Sequence, residues 1–134
     1  MIKIAGVWEL GWNAPLSEYD LWLFLRDFAV DEWYMSPVSG ISKRDVTEVP
    51  CITDAIEANP DLTPVYVDEK GETPLRSFQH PENPLYVFGK VGKSPWAANG
   101  KKGISVRIET PGEHGLIWPH QCLAIVLYDR ISKQ

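Results

Sequence analysis

The sequence has few of the residues and motifs that define several common classes of protein. Only two cysteines occur, Cys51 and Cys122, and they lie far apart without a CxxC pattern. Neither a disulfide framework nor a zinc site is therefore expected, and a reducing cytoplasm is the predicted location. No apolar run approaches the roughly 18–20 residues of a membrane helix, and the N-terminus lacks the basic flank and long apolar stretch of a signal peptide. We expect a cytoplasmic protein without a membrane segment and without a metal.

Several catalytic signatures are also missing. The sequence contains no GxGxxG and no GxxxxGK[ST] motif, which argues against nucleotide hydrolases and dehydrogenases. Ser94 and Ser105 have no base beside them, so nothing supports a nucleophilic hydrolase. Of the three histidines, His114 and His120 flank the start of the last predicted helix and are the better candidates for chemistry.

The charge distribution leaves nucleic-acid binding open. A net charge of −5 argues against a broad basic surface. Basic residues nevertheless cluster within one 18-residue stretch, as Lys90, Lys93, Lys101, Lys102 and Arg107. The cluster is either a local RNA-binding patch or a solvated loop.

Tryptophan is abundant, with six residues in 134. Most are expected in the core or at an interface, because large aromatic side chains dominate burial energetics. Trp96 and Trp118 differ, since both lie in or beside loops rich in glycine and proline. Each of these rings either packs in the core or stacks on a base or an adenine ring.

Strand-like and helix-like segments alternate along the chain. Runs of β-branched and aromatic residues predict five strands, at residues 2–8, 30–35, 64–67, 84–88 and 104–108. Apolar periodicity predicts a helix from Ser17 to Phe28, a short helix capped by Thr53 and a C-terminal helix at residues 118–131. Residues 38–50 and 90–103 are expected to be irregular. This alternation predicts a mostly parallel sheet with helices on both faces.

Ligands of such sheets bind beyond the carboxyl ends of the strands. Gly89, after the fourth predicted strand, and residues 110–115, after the fifth, are therefore the first places to expect a site.

Four segments of the sequence contain motifs that resemble those of a known protein family. HPENPLYVFGK contains a strand that ends in Phe-Gly, and VRIETPGEHGLIWPHQCLAIVLYDR contains a Pro-Gly loop before an apolar helix. These runs resemble two motifs of the SPOUT family of RNA methyltransferases, in its TrmH-like group, whose final helix ends in AIVLYE. FAVDEWYMSP and PVYVDEKGETPLRSF resemble the family's second strand and the strand and turn before Phe-Gly. The resemblance covers most of the chain and is strongest from about residue 65 to residue 130.

The resemblance implies an α/β fold with a mostly parallel sheet flanked by helices and a C-terminal deep trefoil knot, with residues 1–134 as a single domain. Knot loops of the family hold S-adenosylmethionine, and the helix after the last loop builds a homodimer. The usual product is a 2′-O-methylated ribose in transfer or ribosomal RNA. Carried over by position, the cofactor-binding residues would be Val67, Gly89, Ile108, Leu116 and Ile117.

Polar residues of the family's catalytic motifs are replaced in this chain. The arginine associated with activating the ribose hydroxyl falls on Leu23, and Arg26 follows three residues later. Other polar positions of the family are occupied here by Ser17, Val91, Trp118 and His120.

Two functions stay open on these observations. The chain is either a divergent RNA methyltransferase, with Arg26 and His120 (or His114) as replacement catalytic residues, or an inactive protein that binds cofactor or RNA without methyl transfer. The first is feasible because methyl transfer from a sulfonium requires mainly positioning and a deprotonated acceptor.

Overall fold

The computed structural model describes residues 1–8, 15–30, 32–90, 92–112 and 117–134, with only the backbone described for Leu16 and Ser17. Within these ranges, seven strands form one sheet in the order β3-β2-β1-β6-β4-β7-β5, and every neighbouring pair is parallel. The strands are β1 (Lys3–Val7), β2 (Trp33–Ser36), β3 (Val46–Glu48), β4 (Thr63–Val67), β5 (Thr73–Pro74), β6 (Pro84–Val87) and β7 (Ile104–Arg107). The helices are α1 (Pro15–Leu21), α2 (Ile52–Glu57), α3 (Pro95–Ala98) and α4 (Pro119–Ser132), with 3-10 helices at Leu23–Phe28 and Leu75–Ser77.

The predicted class, an α/β protein with a mostly parallel sheet flanked by helices, is confirmed. Alternating residues of the strands enter two separate apolar cores, as the two-residue period of a strand requires. Ile4 and Tyr86 pack with α4 and the first 3-10 helix, whereas their neighbours Ala5 and Leu85 pack with α2 and α3. Helices therefore cover both faces of the sheet. The trefoil knot stays a prediction.

Two edge strands were missed from the sequence. Residues 38–50 were expected to be irregular, but Val46–Glu48 forms β3 beside β2, and Thr73–Pro74 forms β5 beside β7. Strands of three and two residues are too short to show a periodic pattern, and their pairing comes from the neighbouring strand rather than from local sequence.

The helix predicted from Ser17 to Phe28 is divided in two. Helix α1 ends at Leu21, and a 3-10 helix continues to Phe28. Ala29 closes it with a left-handed backbone (φ 61°), and its N–H reaches the carbonyl of Arg26 at 3.1 Å. The tighter winding places Trp22 and Leu25 in the core.

Residues 90–103 also contain a short helix, α3, where a loop was expected. The Ser94 hydroxyl accepts a hydrogen bond from the N–H of Ala97 at 3.0 Å, and Pro95 follows in the first turn. A serine cap followed by proline is a helix-start signal that the sequence does contain.

Helix α4 is fixed at both ends. At its start, the Gln121 side chain accepts the N–H of Trp118 at 2.9 Å. Near its end, Asp129 accepts a hydrogen bond from Nε2 of His80 at 2.7 Å, while Nδ1 of His80 contacts the Tyr86 hydroxyl at 2.7 Å. His80 thereby connects α4 to β6. None of the described helices is long and apolar enough to cross a membrane.

Candidate functional site

A cavity of about 550 Å³ lies where β4, β6 and β7 end. Val67 is the last residue of β4, Gly89 follows β6 by two residues, and Ile108 directly follows β7. Pro119 and Cys122 close the cavity from α4. Its volume is within the range of small-molecule and cofactor sites, and its position is the one expected for a ligand in a parallel sheet.

Four of the five residues carried over by the resemblance line this cavity, namely Val67, Gly89, Ile108 and Ile117. The fifth, Leu116, lies outside the described residues. The structure thus brings together side chains and backbone that are up to fifty residues apart in sequence, and it does so through strand order.

Gly89 is required for the shape of the cavity wall. A Cβ atom at this position would lie 2.7 Å from the carbonyl oxygen of Lys93 and 2.8 Å from Cδ of Pro95. Real Cβ atoms do not approach backbone so closely, so Lys93 and Pro95 can pack against this position only if it is a glycine. The partly exposed backbone of Gly89 itself lines the cavity.

Phe88 forms part of the cavity wall, and its ring packs against Trp22 and Gly6. Its ring stacks on that of Trp22, with centroids 4.7 Å apart, and a Cβ at Gly6 would overlap the same ring. The glycine in β1 therefore makes room for the wall residue that follows β6.

Charged residues surround the cavity unevenly. The basic members of the lining are Lys70, Lys90, Lys93 and Lys101, and the acidic members are Asp68 and Glu69. Asp68 is held in place by local hydrogen bonds, because it accepts the Ser94 hydroxyl and, at 2.8 Å, the N–H of Lys70. The lining is therefore more basic than the chain as a whole.

The thiol of Cys122 faces this region but is not a nucleophile. Burial raises its pKa to about 11, so the sulfur is a neutral thiol at pH 7. Reactive cysteines require the opposite shift. Cys122 is an apolar wall residue, and no described group of His, Cys, Asp or Glu side chains has the arrangement of a metal site.

Trp96 lines the cavity and is also part of the core on the α2 and α3 side of the sheet. It is only 4% exposed. The two roles that the sequence left open for this ring, packing and ligand contact, are therefore compatible.

Arg26, proposed from the sequence as a catalytic residue, lies in an ion pair and does not line the cavity. Its guanidinium binds both carboxylate oxygens of Asp45, at 2.5 and 2.9 Å, and donates to the Tyr19 hydroxyl at 2.7 Å. Hydrogen bonding from Arg26 holds the pKa of buried Asp45 below its usual range, against the opposing effect of burial. The pair connects the first 3-10 helix to the turn before β3.

His120, the second catalytic candidate, lies in the first turn of α4 among aromatic rings. It contacts Trp22 and Trp118 edge-on, with centroid distances of 5.8 and 6.1 Å. Burial lowers the pKa of its imidazole, so the neutral form is favoured. His120 and Arg26 have different partners, and His120 is not part of the cavity lining.

Leu23 is partly buried against the larger core. By the resemblance it would fall on the position of the family's arginine, and its side chain has no polar group. His114 and Val91 lie outside the described residues.

The sequence missed several lining residues, including Phe88, Asp68 and Pro119. Phe88 and Asp68 each follow directly after a strand, and Pro119 begins α4. The rule that sites form beyond strand ends could therefore have identified Phe88 and Asp68. Whether such a residue lines the cavity depends on which strands are neighbours in the sheet. Local sequence does not reveal the order of the strands.

The geometry defines an α/β protein with a ligand cavity at the carboxyl edge of a parallel sheet. Comparison with solved structures shows the SPOUT fold of the SpoU and TrmH RNA methyltransferases. A Porphyromonas gingivalis protein assigned to the TrmH family of RNA methyltransferases superposes with a TM-score of 0.73 at 13% identity, over 99% of this chain and 60% of its own. The SpoU methyltransferase AviRb from Streptomyces viridochromogenes, in complex with AdoMet, gives a TM-score of 0.74 at 12% identity, over 98% of this chain and 57% of its own.

A third structure, reported for 2-OH methylation of C/U34 on tRNA, gives a TM-score of 0.71 at 14% identity, over 100% of this chain and 98% of its own. The chain thus spans nearly all of one similar protein and about 60% of the P. gingivalis protein. No protein-family model and no curated protein matches the sequence. At these identities the comparisons establish the fold, and the resemblance seen in the sequence motifs is confirmed at that level.

Proposed function

We propose that this protein is an S-adenosylmethionine-dependent methyltransferase that acts on RNA. The observation that carries the proposal is the single cavity that joins Val67, Gly89, Ile108 and Ile117. The fold adds support, because similar solved structures include RNA methyltransferases, two of them with AdoMet bound.

The residues present fit the cofactor. Gly89 lets Lys93 and Pro95 pack closely against its Cα, and its partly exposed backbone lines the cavity, where it could hydrogen-bond an adenosyl group. Val67, Ile108 and Ile117 would enclose its apolar parts, with Leu116 as a further contact by resemblance. When bound, S-adenosylmethionine supplies an electrophilic methyl group. This chain's residues would orient it, exclude water through Phe88 and Pro119, and leave the methyl acceptor to approach from outside.

RNA is the proposed substrate, and ribose 2′-hydroxyls in transfer or ribosomal RNA are the proposed acceptors. Lys93 and Lys101 are exposed at the rim of the cavity, and Lys102 is exposed beside them. Their ammonium groups can bind phosphates close to the cofactor. The net charge of −5 would then restrict RNA to this patch.

We further propose that the chain is a homodimer with the family's C-terminal knot. Helix α4 exposes Ile125, Tyr128 and Ile131, at 41%, 65% and 49%. These residues recur at intervals of three and so form one apolar stripe on the helix. A second copy of the chain, with the same stripe, would cover it in a two-fold interface.

A second function, ligand binding without methyl transfer, is favoured by one observation. Arg26 is bound to Asp45 and Tyr19 away from the cavity, and Leu23 replaces the family's arginine. If Arg26 only stabilises the fold, Arg26→Lys and Asp45→Asn should lower stability and leave any methyl transfer per folded molecule unchanged. If Arg26 is catalytic, Arg26→Lys alone should abolish transfer.

The proposal is tested by incubating the protein with methyl-labelled S-adenosylmethionine and a mixture of transfer and ribosomal RNA. We expect label in RNA and its loss in the Gly89→Val variant. Cofactor binding without label in any RNA would favour the second function, and absence of cofactor binding at millimolar concentration would contradict the proposed methyltransferase.

A further inference from the structure

Asp68 lines the cavity and has no ion-pair partner among the described residues, although the same lining contains four lysines. The residue is partly exposed rather than buried, so a ligand in the cavity can reach it. A carboxylate that is partly removed from water requires hydrogen-bond donors. Asp68 is thus an accessible acceptor within the proposed cofactor site.

The carboxylate of Asp68 is held in a fixed position. The backbone N–H of Asp68 donates to the carbonyl of Val106 at 3.0 Å, and its own carbonyl accepts the N–H of Gly71 at 3.0 Å. One carboxylate oxygen accepts the Ser94 hydroxyl, and the other accepts the N–H of Lys70 at 2.8 Å. Ser94 also lines the cavity, so its hydrogen bond to Asp68 joins two parts of the cavity wall. The acceptor is therefore pre-organised before a ligand binds.

The carboxylate retains acceptor capacity. An ionised carboxylate has about four lone-pair sites on its two oxygens, and Ser94 and Lys70 occupy one site on each oxygen. About two sites are left, one on each oxygen, and they match a pair of neighbouring hydroxyl donors. The vicinal 2′- and 3′-hydroxyls of a ribose are such a pair. The lysines of the lining cannot replace Asp68 in this role, because an ammonium group has no acceptor.

We infer that Asp68 binds the ribose hydroxyls of the adenosyl cofactor and thereby positions the cofactor in the cavity. The inference rests on the proposed function. Strand β4, which Asp68 directly follows, lies between β6 and β7 in the sheet. Asp68 is therefore central among the three strand ends that bound the cavity. Ribose is likewise the central group of the cofactor, between the adenine ring and the sulfonium with its amino-acid chain.

The ammonium group of the cofactor's amino-acid part is the other donor that a carboxylate could bind. That ammonium shares a carbon atom with the cofactor's own carboxylate, which Lys93 and Lys101 attract to the exposed rim of the cavity. Glu69 also lines the cavity and is exposed, so an acidic residue is available at the rim as well. A ribose at Asp68 and an amino-acid part at the rim are therefore compatible.

The test is calorimetric titration of the wild type, Asp68→Asn and Glu69→Gln with S-adenosylhomocysteine and with its 2′-deoxy and 3′-deoxy forms. At least one deoxy form should bind the wild type about ten-fold more weakly than the parent ligand, as for loss of one hydrogen bond to a charged group. Asp68→Asn should bind the parent ligand about ten-fold more weakly than the wild type does. Removal of the same hydroxyl should then weaken binding to Asp68→Asn by a smaller factor.

Glu69→Gln is the matched control, because it removes one negative charge from the neighbouring residue of the lining. Its affinity should still fall about ten-fold when the hydroxyl is removed. Undiminished binding of both deoxy forms to the wild type would overturn the inference, and this measurement does not require a variant to fold. An equal effect of hydroxyl removal in the wild type and Asp68→Asn would overturn it as well. Failure of the wild type to bind S-adenosylhomocysteine would instead refute the proposed function.

Discussion

Individual residues show most clearly what the sequence could and could not predict. Val67, Gly89, Ile108 and Ile117 were expected at one site, and they line one cavity. Trp96 could not be assigned, because its core packing and its position in the cavity both depend on tertiary structure. Arg26 was selected for its proximity in sequence to the family's arginine, whereas its partner Asp45 is nineteen residues away and no local pattern connects them.

Substitution of Gly89 tests the cavity wall at the residue scale. Gly89→Ala should lower the free energy of unfolding by about 1–3 kcal/mol, because the Cβ meets backbone and proline atoms that cannot move freely. Urea denaturation measures the change. Gly112→Ala is the matched control, since a Cβ there meets no described atom within 4 Å, and its effect should stay within about 0.5 kcal/mol. Equal effects of the two substitutions would refute the steric explanation.

Elements longer than one turn were easier to predict than short ones. The C-terminal helix was expected at residues 118–131 and is observed at Pro119–Ser132, because proline at its start and a continuous apolar face are local signals. Edge strands β3 and β5 were missed, since only pairing with β2 and β7 makes them strands. The first helix divides at Trp22, whose ring stacks on that of Phe88, a residue distant in sequence.

Attachment of α4 to the sheet should depend on pH through His80. Burial lowers the pKa of His80, although hydrogen bonding to Asp129 opposes this shift and Lys133 and Arg130 nearby favour the neutral ring. The folded state thus prefers neutral His80, with Tyr86 and Asp129 as its hydrogen-bond partners. Its contribution to stability is present above the ordinary histidine pKa of about 6.5 and is lost as the pH falls below it.

Urea denaturation at pH 7.5 and pH 5.5 measures this dependence. His120 has a pKa lowered by burial as well, so the wild type should lose stability at pH 5.5 through both histidines. His80→Gln should have a lower free energy of unfolding than the wild type at pH 7.5. Its free energy of unfolding should also fall less than that of the wild type between pH 7.5 and pH 5.5. Identical losses for the two proteins would show that His80 does not titrate as described.

At the scale of the whole molecule, the sequence predicted the α/β class, the parallel sheet and the edge at which the cavity lies. The order of the strands could not be predicted from the sequence. The neighbours of β6 are β1 and β4, and nothing in the local sequence of β6 identifies them. The apolar stripe on α4 is likewise visible only when the buried face of the helix is known.

The proposed dimer predicts that light scattering at micromolar concentration gives twice the monomer mass. Tyr128→Lys should shift the protein to a monomer, because a charge at the centre of an apolar interface is unfavourable. Val38→Lys is a suitable control, since Val38 is also exposed (59%) but lies in the connection between β2 and β3 rather than on α4. A wild-type monomer, or a Tyr128→Lys variant that remains dimeric, would contradict the proposed interface.

The proposed RNA patch predicts a salt dependence. Affinity for transfer RNA should fall as salt rises, and the Lys101→Gln, Lys102→Gln double variant should reduce the slope of log affinity against log salt by roughly one to two. Lys43→Gln with Arg44→Gln changes an exposed basic pair elsewhere and should leave the slope unchanged. Equal salt-dependence slopes for the wild type and both double variants would show that RNA does not bind at Lys101 and Lys102.

A crystal structure of the protein grown with S-adenosylhomocysteine tests the central claim most directly, namely that the cavity beyond β4, β6 and β7 holds the cofactor. The account predicts ligand density bounded by Val67, Gly89 and Ile108. Density at another surface, or an empty cavity at a ligand concentration that saturates binding in solution, would contradict it.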